Sequence, residues 1–236
     1  MINKKYIDLH VHSKASDGEL SVLELVHRAQ VSGLAAIAIT DHDTIKGIRE
    51  YMDSNKKSEG MEVIPGVEVS TIYKNDIIHI LVYTYKLDGQ LATIIENLKK
   101  RNLRHYIDYK KGLRKEIQCE YIDVFNLLQV VKEDGGVSIL AHPKRVCTNY
   151  KELIEIILDL ASHGLDGIES FHRDNSFIEQ IGFNLLARKY NLLSTGGSDF
   201  HGNSNRIEQI YLERNVSYKY LDKLKKRMGI MKNDVK

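Results

Sequence analysis

Imidazoles and carboxylates in this chain stand where short apolar runs end, and that placement is the one metal chemistry requires. Ile7-Asp8-Leu9-His10-Val11-His12 closes an apolar run with two histidines at i and i+2, and strand alternation puts both rings on one face. The run from Leu34 to Thr40 ends in Asp41-His42-Asp43. Val137 to Ala141 ends in His142-Pro143, and Leu192 to Thr195 leads through Gly196-Gly197-Ser198 into Asp199-Phe200-His201. Groups gathered at the same end of several strands converge only if the strands lie side by side, as at the carboxyl end of a parallel barrel or sheet. His79 interrupts Asp76–Val82, a run apolar enough to be buried, where an unpaired imidazole is costly. Glu68 follows Val63-Ile64-Pro65-Gly66-Val67 as a carboxylate at a strand end that needs neutralising. Mixed imidazole and carboxylate donors suit divalent Mn, Fe or Zn without choosing among them. A pair of such ions activates water as a nucleophile.

The elements that must position these groups follow from apolar periodicity. Short apolar runs alternate with helical patterns, which predicts about seven βα units. A strand at 5–10 precedes a helix near 21–32, with Ser21 and Glu24 as a capping box and Gly33 at its end. A strand at 34–40 leads to a helix near 44–56. Strands near 61–69 and 76–84 follow as a pair, because only the Tyr73-Lys74-Asn75-Asp76 turn separates them. Residues 90–133 read as helical with no strand between. Strands near 137–141, 166–170 and 192–195 alternate with helices near 150–163 and 176–190, and a strand near 206–212 and a basic helix near 218–228 close the chain. No linker rich in Pro, Gly or Ser interrupts residues 1–236, so a single domain with a helical insertion about 88–134 is expected.

The 236 residues, 42 % apolar, suffice for one α/β core. A net charge of +2 gives no general attraction to nucleic acid. Cys119 and Cys147 show neither metal-binding spacing nor disulfide density. The chain begins without an apolar signal region and has no stretch near the roughly 20 apolar residues that cross a bilayer, so a soluble cytoplasmic protein without a membrane partner is expected. His27, His105 and His163 lie among charged residues or at a helix end and read as ordinary surface histidines.

Taken in order, His10-Val11-His12, Asp41-His42, Glu68, His79, His142 and Asp199-Phe200-His201 resemble the motifs of the polymerase and histidinol phosphatase (PHP) family, over residues 6–84 and 136–202. Ala15-Ser16-Asp17-Gly18, Ile39-Thr40-Asp41-His42-Asp43-Thr44 and Gly197-Ser198-Asp199-Phe200-His201-Gly202 are similar to its nucleotidase and 5′→3′ exoribonuclease branch. The resemblance implies a distorted (β/α)7 barrel with two to three divalent ions at the carboxyl ends of the strands. It places one ion on His10, His12, Glu68 and Asp199. A second shares Glu68 and adds His79 and His142, and a third takes Asp17, His42 and His201. Asp41 is then expected to orient a ligand imidazole. Glu68 and Asp199 become catalytic as well as ligating. The activity implied is hydrolysis of phosphate esters of nucleotides or short single-stranded oligonucleotides by a metal-bound hydroxide. Alternatives are a small-metabolite phosphatase of the histidinol phosphatase type, disfavoured by Asp17, and a non-catalytic metal-holding module.

Arg145, two residues after Pro143, is a candidate for bidentate phosphate contact. His172, just beyond the run Gly167–Phe171, is a candidate to protonate the leaving oxygen or touch substrate. Lys100, Arg104, Lys111 and Lys115 lie along one helical face that is either solvated surface or a guide for polyanions. No serine elbow or P-loop is present.

Overall fold

The computed structural model describes residues 5–55, 58–110, 119–202 and 216–229. In chain order the elements are β1 (Tyr6–Val11), α1 (Val22–Val31), β2 (Ala36–Ile39), α2 (Lys46–Asp53), β3 (Glu62–Tyr73), β4 (Asp76–Tyr83), α3 (Gln90–Lys110) and β5 (Ile122–Asp123). There follow α4 (Val124–Glu133), β6 (Val137–Leu140), a single-turn α5 (Pro143–Val146), α6 (Tyr150–Ser162), β7 (Gly167–His172), α7 (Phe177–Lys189), β8 (Leu193–Gly197), β9 (Val216–Ser217) and α8 (Lys219–Arg227). Ser21 and Glu24 form the expected capping box, and α1 buries Val22, Leu25, Val26 and Ala29 at helical spacing. All four residues of β2 are buried, as a strand covered on both faces must be.

The strands run in the order β8-β7-β6-β4-β3-β2-β1-β9, with β5 beside β3. Beyond β8 the chain returns to β1: Asp199 N–H donates to His10 O and His12 N–H to Phe200 O, each at 2.9 Å. The result is the nearly closed, barrel-shaped sheet of a mixed α/β fold. Its inner wall carries Leu9, Ala36, Ala38, Ile64, Leu81, Tyr83 and Ile139, with Leu221 and Leu224 of α8 packed in the same cluster. The larger outer cluster joins Ile37, Ile39, Val67, Ile80 and Ile168 to Leu25, Ile48, Leu127 and Ile157 of the helices. No helix among the described residues is long and apolar enough to cross a membrane.

One detail follows from the short β3–β4 turn, and two others depart from the sequence reading. β4 runs antiparallel to both β3 and β6, so the barrel is not uniformly parallel and His79 enters the site from the first half of its strand. β3 continues to Tyr73, so Glu68 lies in mid-strand, just past the last β2 partner at Pro65, rather than at a strand end. The two-residue β5, too short to leave a period, interrupts the segment read as wholly helical by pairing with Thr71 and Ile72. The strand expected near 206–212, together with Lys111, Lys115 and the side chain of Arg104, lies outside the described residues, while Lys100 is exposed on α3.

Gly197 allows the closure. A Cβ there would stand 2.3 Å from His10 Cβ and 2.5 Å from His10 N, so β8 meets β1 only without a side chain. Gly197→Ala is therefore expected to cost about 1–3 kcal/mol through overpacking, read as a lowered Tm. An unchanged Tm would mean that the two strands are not held in this contact.

Candidate metal centre

The centre is built where regular strands are deliberately broken. Along β1, Asp8 faces Ile37 but Val11 faces Ile39, three steps against two on β2. Along β7, Glu169 faces Thr195 and Phe171 faces Gly196, two steps against one on β8. Such bulges re-aim side chains beside functional sites, and here His10, Glu169 and His172 all reach the same cluster. Asp43, His142 and Asp199 hold left-handed backbone (φ 49°, 28° and 52°), a conformation that concentrates at functional sites.

Glu68, fully buried, is the hub. Its Oε2 lies 2.9 Å from His10 Nε2, 3.1 Å from His12 Nε2 and 3.4 Å from His42 Nε2. Its Oε1 lies 3.0 Å from His79 Nδ1 and 2.9 Å from His142 Nε2. One carboxylate thus divides five imidazoles between its two oxygens. Asp199 divides its neighbours similarly: Oδ1 stands 3.4 Å from His10 Nε2 and 3.2 Å from His12 Nε2, while Oδ2 accepts from Arg145 Nη1 at 2.9 Å and faces His172 Nε2 at 3.5 Å. Half-exposed Asp17 completes a third group, 3.4 Å from His201 Nε2, 3.7 Å from His12 Nδ1 and 4.0 Å from His42 Nε2. All nine residues marked out as candidate ligands are therefore brought together.

Several are held by neighbours outside the cluster. Glu169, buried, accepts from His10 Nδ1 at 2.9 Å with Oε1 and from His142 N–H at 2.8 Å with Oε2. Asp8 accepts from Ser198 N–H at 2.9 Å and His10 N–H at 3.2 Å, steadying the segment that carries Asp199. Asp41 departs from expectation: it bonds Ser13 N–H (2.6 Å), Ser13 Oγ (2.8 Å) and Ser16 Oγ (2.8 Å), so it shapes the loop bearing Asp17 rather than orienting an imidazole. Glu169 and Asp8 escaped the sequence reading. Glu169 did carry a signal, a charge inside the apolar run Gly167–Phe171, the same kind of interruption that marked His79.

Charge follows from this packing. Burial opposes ionising His10, but Glu169 and Glu68 outweigh it and hold its pKa well above the ordinary value. Burial works against the Glu68 carboxylate too, yet His10, His12 and His142 keep it well below the usual range. Asp199 is likewise held far down, against burial, by His12, His172 and His10. Burial pushes His42 down to about 4, aided by His12 and His79, and leaves its ring neutral at neutral pH with a free electron pair.

These features fit divalent cations. Both ring nitrogens of His12 and Nδ1 of His142 are buried without a hydrogen bond, an arrangement that costs free energy unless a ligand completes it. Three overlapping donor groups converge within 4.8 Å: His10, His12, Glu68 and Asp199; His12, Asp17, His42 and His201; and His42, Glu68 and His79. The cluster is able to bind metal ions.

The rim holds the two substrate candidates. Arg145, 42 % exposed, spans Asp174 Oδ2 (2.7 Å from Nε) and Asp199 Oδ2. His172 closes β7 rather than following it. Its ring is fully buried, and Nδ1 accepts from Asp174 N–H at 3.2 Å, which places the proton of a neutral ring on Nε2, toward Asp199.

Comparison with known proteins agrees with this geometry. The model of the PHP domain matches residues 8–180, and the chain belongs to that family. It is 29 % identical to a 5′-3′ exoribonuclease of Haemophilus influenzae, with 85 % of this chain and 91 % of the relative covered. It is 26 % identical to a phosphoribosyl 1,2-cyclic phosphate 1,2-diphosphodiesterase of Eggerthella lenta (86 % and 97 %) and 24 % identical to a 3′,5′-nucleoside bisphosphate phosphatase of Chromobacterium violaceum (83 % and 87 %). A solved structure from Bifidobacterium adolescentis assigned as a metal-dependent phosphoesterase shares the fold, with a TM-score of 0.76 at 21 % identity over 94 % of this chain and 96 % of that one. The protein is a hydrolase of the metal-dependent phosphoesterase class.

Glu169 gives a direct test of how the imidazoles are held. In Glu169→Gln one end of the side chain becomes a donor facing another donor, either His10 Nδ1–H or His142 N–H. Loss of such a supporting contact is expected to weaken metal affinity by about 10- to 100-fold, measured by calorimetric titration with Mn²⁺. Unchanged affinity would reduce Glu169 to a space-filling role.

Proposed function

We propose that this chain hydrolyses phosphate esters of nucleotides or short single-stranded oligonucleotides, using ions held in two or three neighbouring positions on either side of Glu68. The observation that carries the reading is the division of imidazoles between the Glu68 oxygens, which suits a carboxylate shared by adjacent cations. In this assignment His10, His12, Glu68 and Asp199 hold one ion, Glu68, His79 and His142 a second, and Asp17, His42 and His201 a third. Mn²⁺, Fe²⁺ or Zn²⁺ bound there would supply Lewis acidity and lower the pKa of water.

The chain's own groups do the rest. Glu169 holds the His10 proton at Nδ1, so Nε2 is the nitrogen that would give up its proton to a bound ion. Asp199 is kept ionised and fixed by Arg145 and His172. Arg145, partly exposed and bonded to Asp199, is a cation placed to meet a phosphate oxygen, while the burial of His172 suits action through Asp199 better than contact with substrate. The names of the relatives, an exoribonuclease and a nucleoside bisphosphate phosphatase among them, support a nucleotide ester over histidinol phosphate.

Mn²⁺-loaded protein assayed against nucleoside 3′,5′-bisphosphates, 5′-phosphorylated short RNA, mononucleotides and histidinol phosphate tests the reading. A nucleotide ester is expected to give the highest kcat/KM; a preference for histidinol phosphate would overturn the substrate class. Glu68→Gln is expected to lower turnover on the preferred ester by more than about 100-fold, beyond the effect of losing a supporting contact. Near wild-type turnover would show that Glu68 is not shared.

A further inference from the structure

The loop between β1 and α1 carries Asp17, and a side chain outside the donor groups holds that loop in place. Asp41, 1 % exposed, is fixed at its backbone by β3, where Glu68 N–H donates to Asp41 O at 3.3 Å. Its carboxylate reaches across to accept from Ser13 N–H, Ser13 Oγ and Ser16 Oγ. Both oxygens are thus engaged, and Asp41 belongs to none of the convergent donor groups.

The loop is closed on itself and against the far side of the site. Ser16 and Gly18 N–H donate to Ser13 O at 3.1 and 2.9 Å, and Lys14 N–H to Leu20 O at 2.8 Å. Glu19 N–H donates to His201 O at 2.7 Å. The contacts therefore run from Asp41, the residue before His42, through the loop of Asp17 to His201, and so join the three ligands assigned to the third ion. Asp17 needs that support. Its side chain is 55 % exposed and stands on a turn, whereas Glu68 and Asp199 are buried. A carboxylate on a free loop pays ordering entropy when it takes an ion, and a loop already fixed lowers that cost.

Gly47 shows that the packing is arranged around the Asp41 carboxylate. A Cβ there, in the first turn of α2, would stand 2.2 Å from Asp41 Oδ2 and 2.8 Å from Ser13 Oγ. The φ of Gly47 is not positive, so its backbone does not call for glycine. The space taken by the carboxylate does.

We propose that Asp41 is a positioning residue for the third cation: by fixing the loop from Ser13 to Leu20 it sets the affinity of Asp17, His42 and His201 for an ion that it does not touch. The proposal rests on the three-ion assignment made above. Calorimetric titration of the full chain with Mn²⁺, with elemental analysis after dialysis, should resolve three ions in the wild type. Asp41→Ala should weaken the third by about 10- to 100-fold, so that dialysed protein keeps two, and leave the affinities of the ions beside Glu68 unchanged. Asp41→Asn, still able to accept from Ser13 N–H and Ser16 Oγ, should recover most of the loss. Gly47→Ala, which displaces the carboxylate from Ser13, should lower the same affinity although alanine is the better helix former. Ser16→Ala, which removes one hydroxyl at a partly buried position, should act in the same direction and keeps the test valid where Asp41→Ala fails to fold. A wild type that binds only two ions would refute the three-ion assignment and the proposal with it. Three ions in the wild type, bound as tightly in Gly47→Ala and Ser16→Ala, would overturn the proposal alone, and so would an equal loss of affinity for all three ions.

Discussion

A buried carboxylate ringed by imidazoles organises this protein. Glu68 has no exposure to water, and an isolated charge in that position would be prohibitively costly. Five imidazoles on its two oxygens resolve the cost, and they come from β1, the loop after β2, β4 and the loop after β6. Those segments meet only if the sheet curls into a nearly closed barrel, so the electrostatics of one side chain and the closure of the fold are the same constraint. Protons and divalent cations would compete for the same electron pairs around Glu68, so the cluster is able to bind metal ions as well as to form a buried salt bridge.

The irregularities of the barrel serve that convergence. An antiparallel β4 brings His79 in from the side opposite His10, and thereby gives Glu68 neighbours on both oxygens. The bulges in β1 and β7 aim His10, Glu169 and His172 into one cluster. Left-handed backbone at His142 and Asp199 turns the chain sharply past the ends of β6 and β8. A regular strand would alternate these groups onto opposite faces.

Much of this was legible in the sequence because apolar runs broken by ionisable residues are costly unless those residues share a purpose. His10, His12, His42, Glu68, His79, His142, Asp199 and His201 all announced themselves that way, and Asp17 through its loop motif. The capping box of α1 and the β3–β4 hairpin were readable from local spacing alone. Glu169 carries the signal of a charge within a strand, but strict alternation does not anticipate the bulge that aims it at His10. Asp41 was misjudged because adjacency to His42 in the chain says nothing about direction: its carboxylate turns back to Ser13 and Ser16. The direction of β4 within the barrel was implied by its short turn, whereas β5, two residues long, carries no period to read.

Glu68 is proposed to lie between cations rather than beside one. Elemental analysis of the metal-replete protein tests it most directly. Two to three divalent ions per chain are expected, drawn from the overlapping donor groups, with the one in the group containing half-exposed Asp17 the first to be lost on dialysis. A replete protein holding fewer than two ions per chain would contradict it.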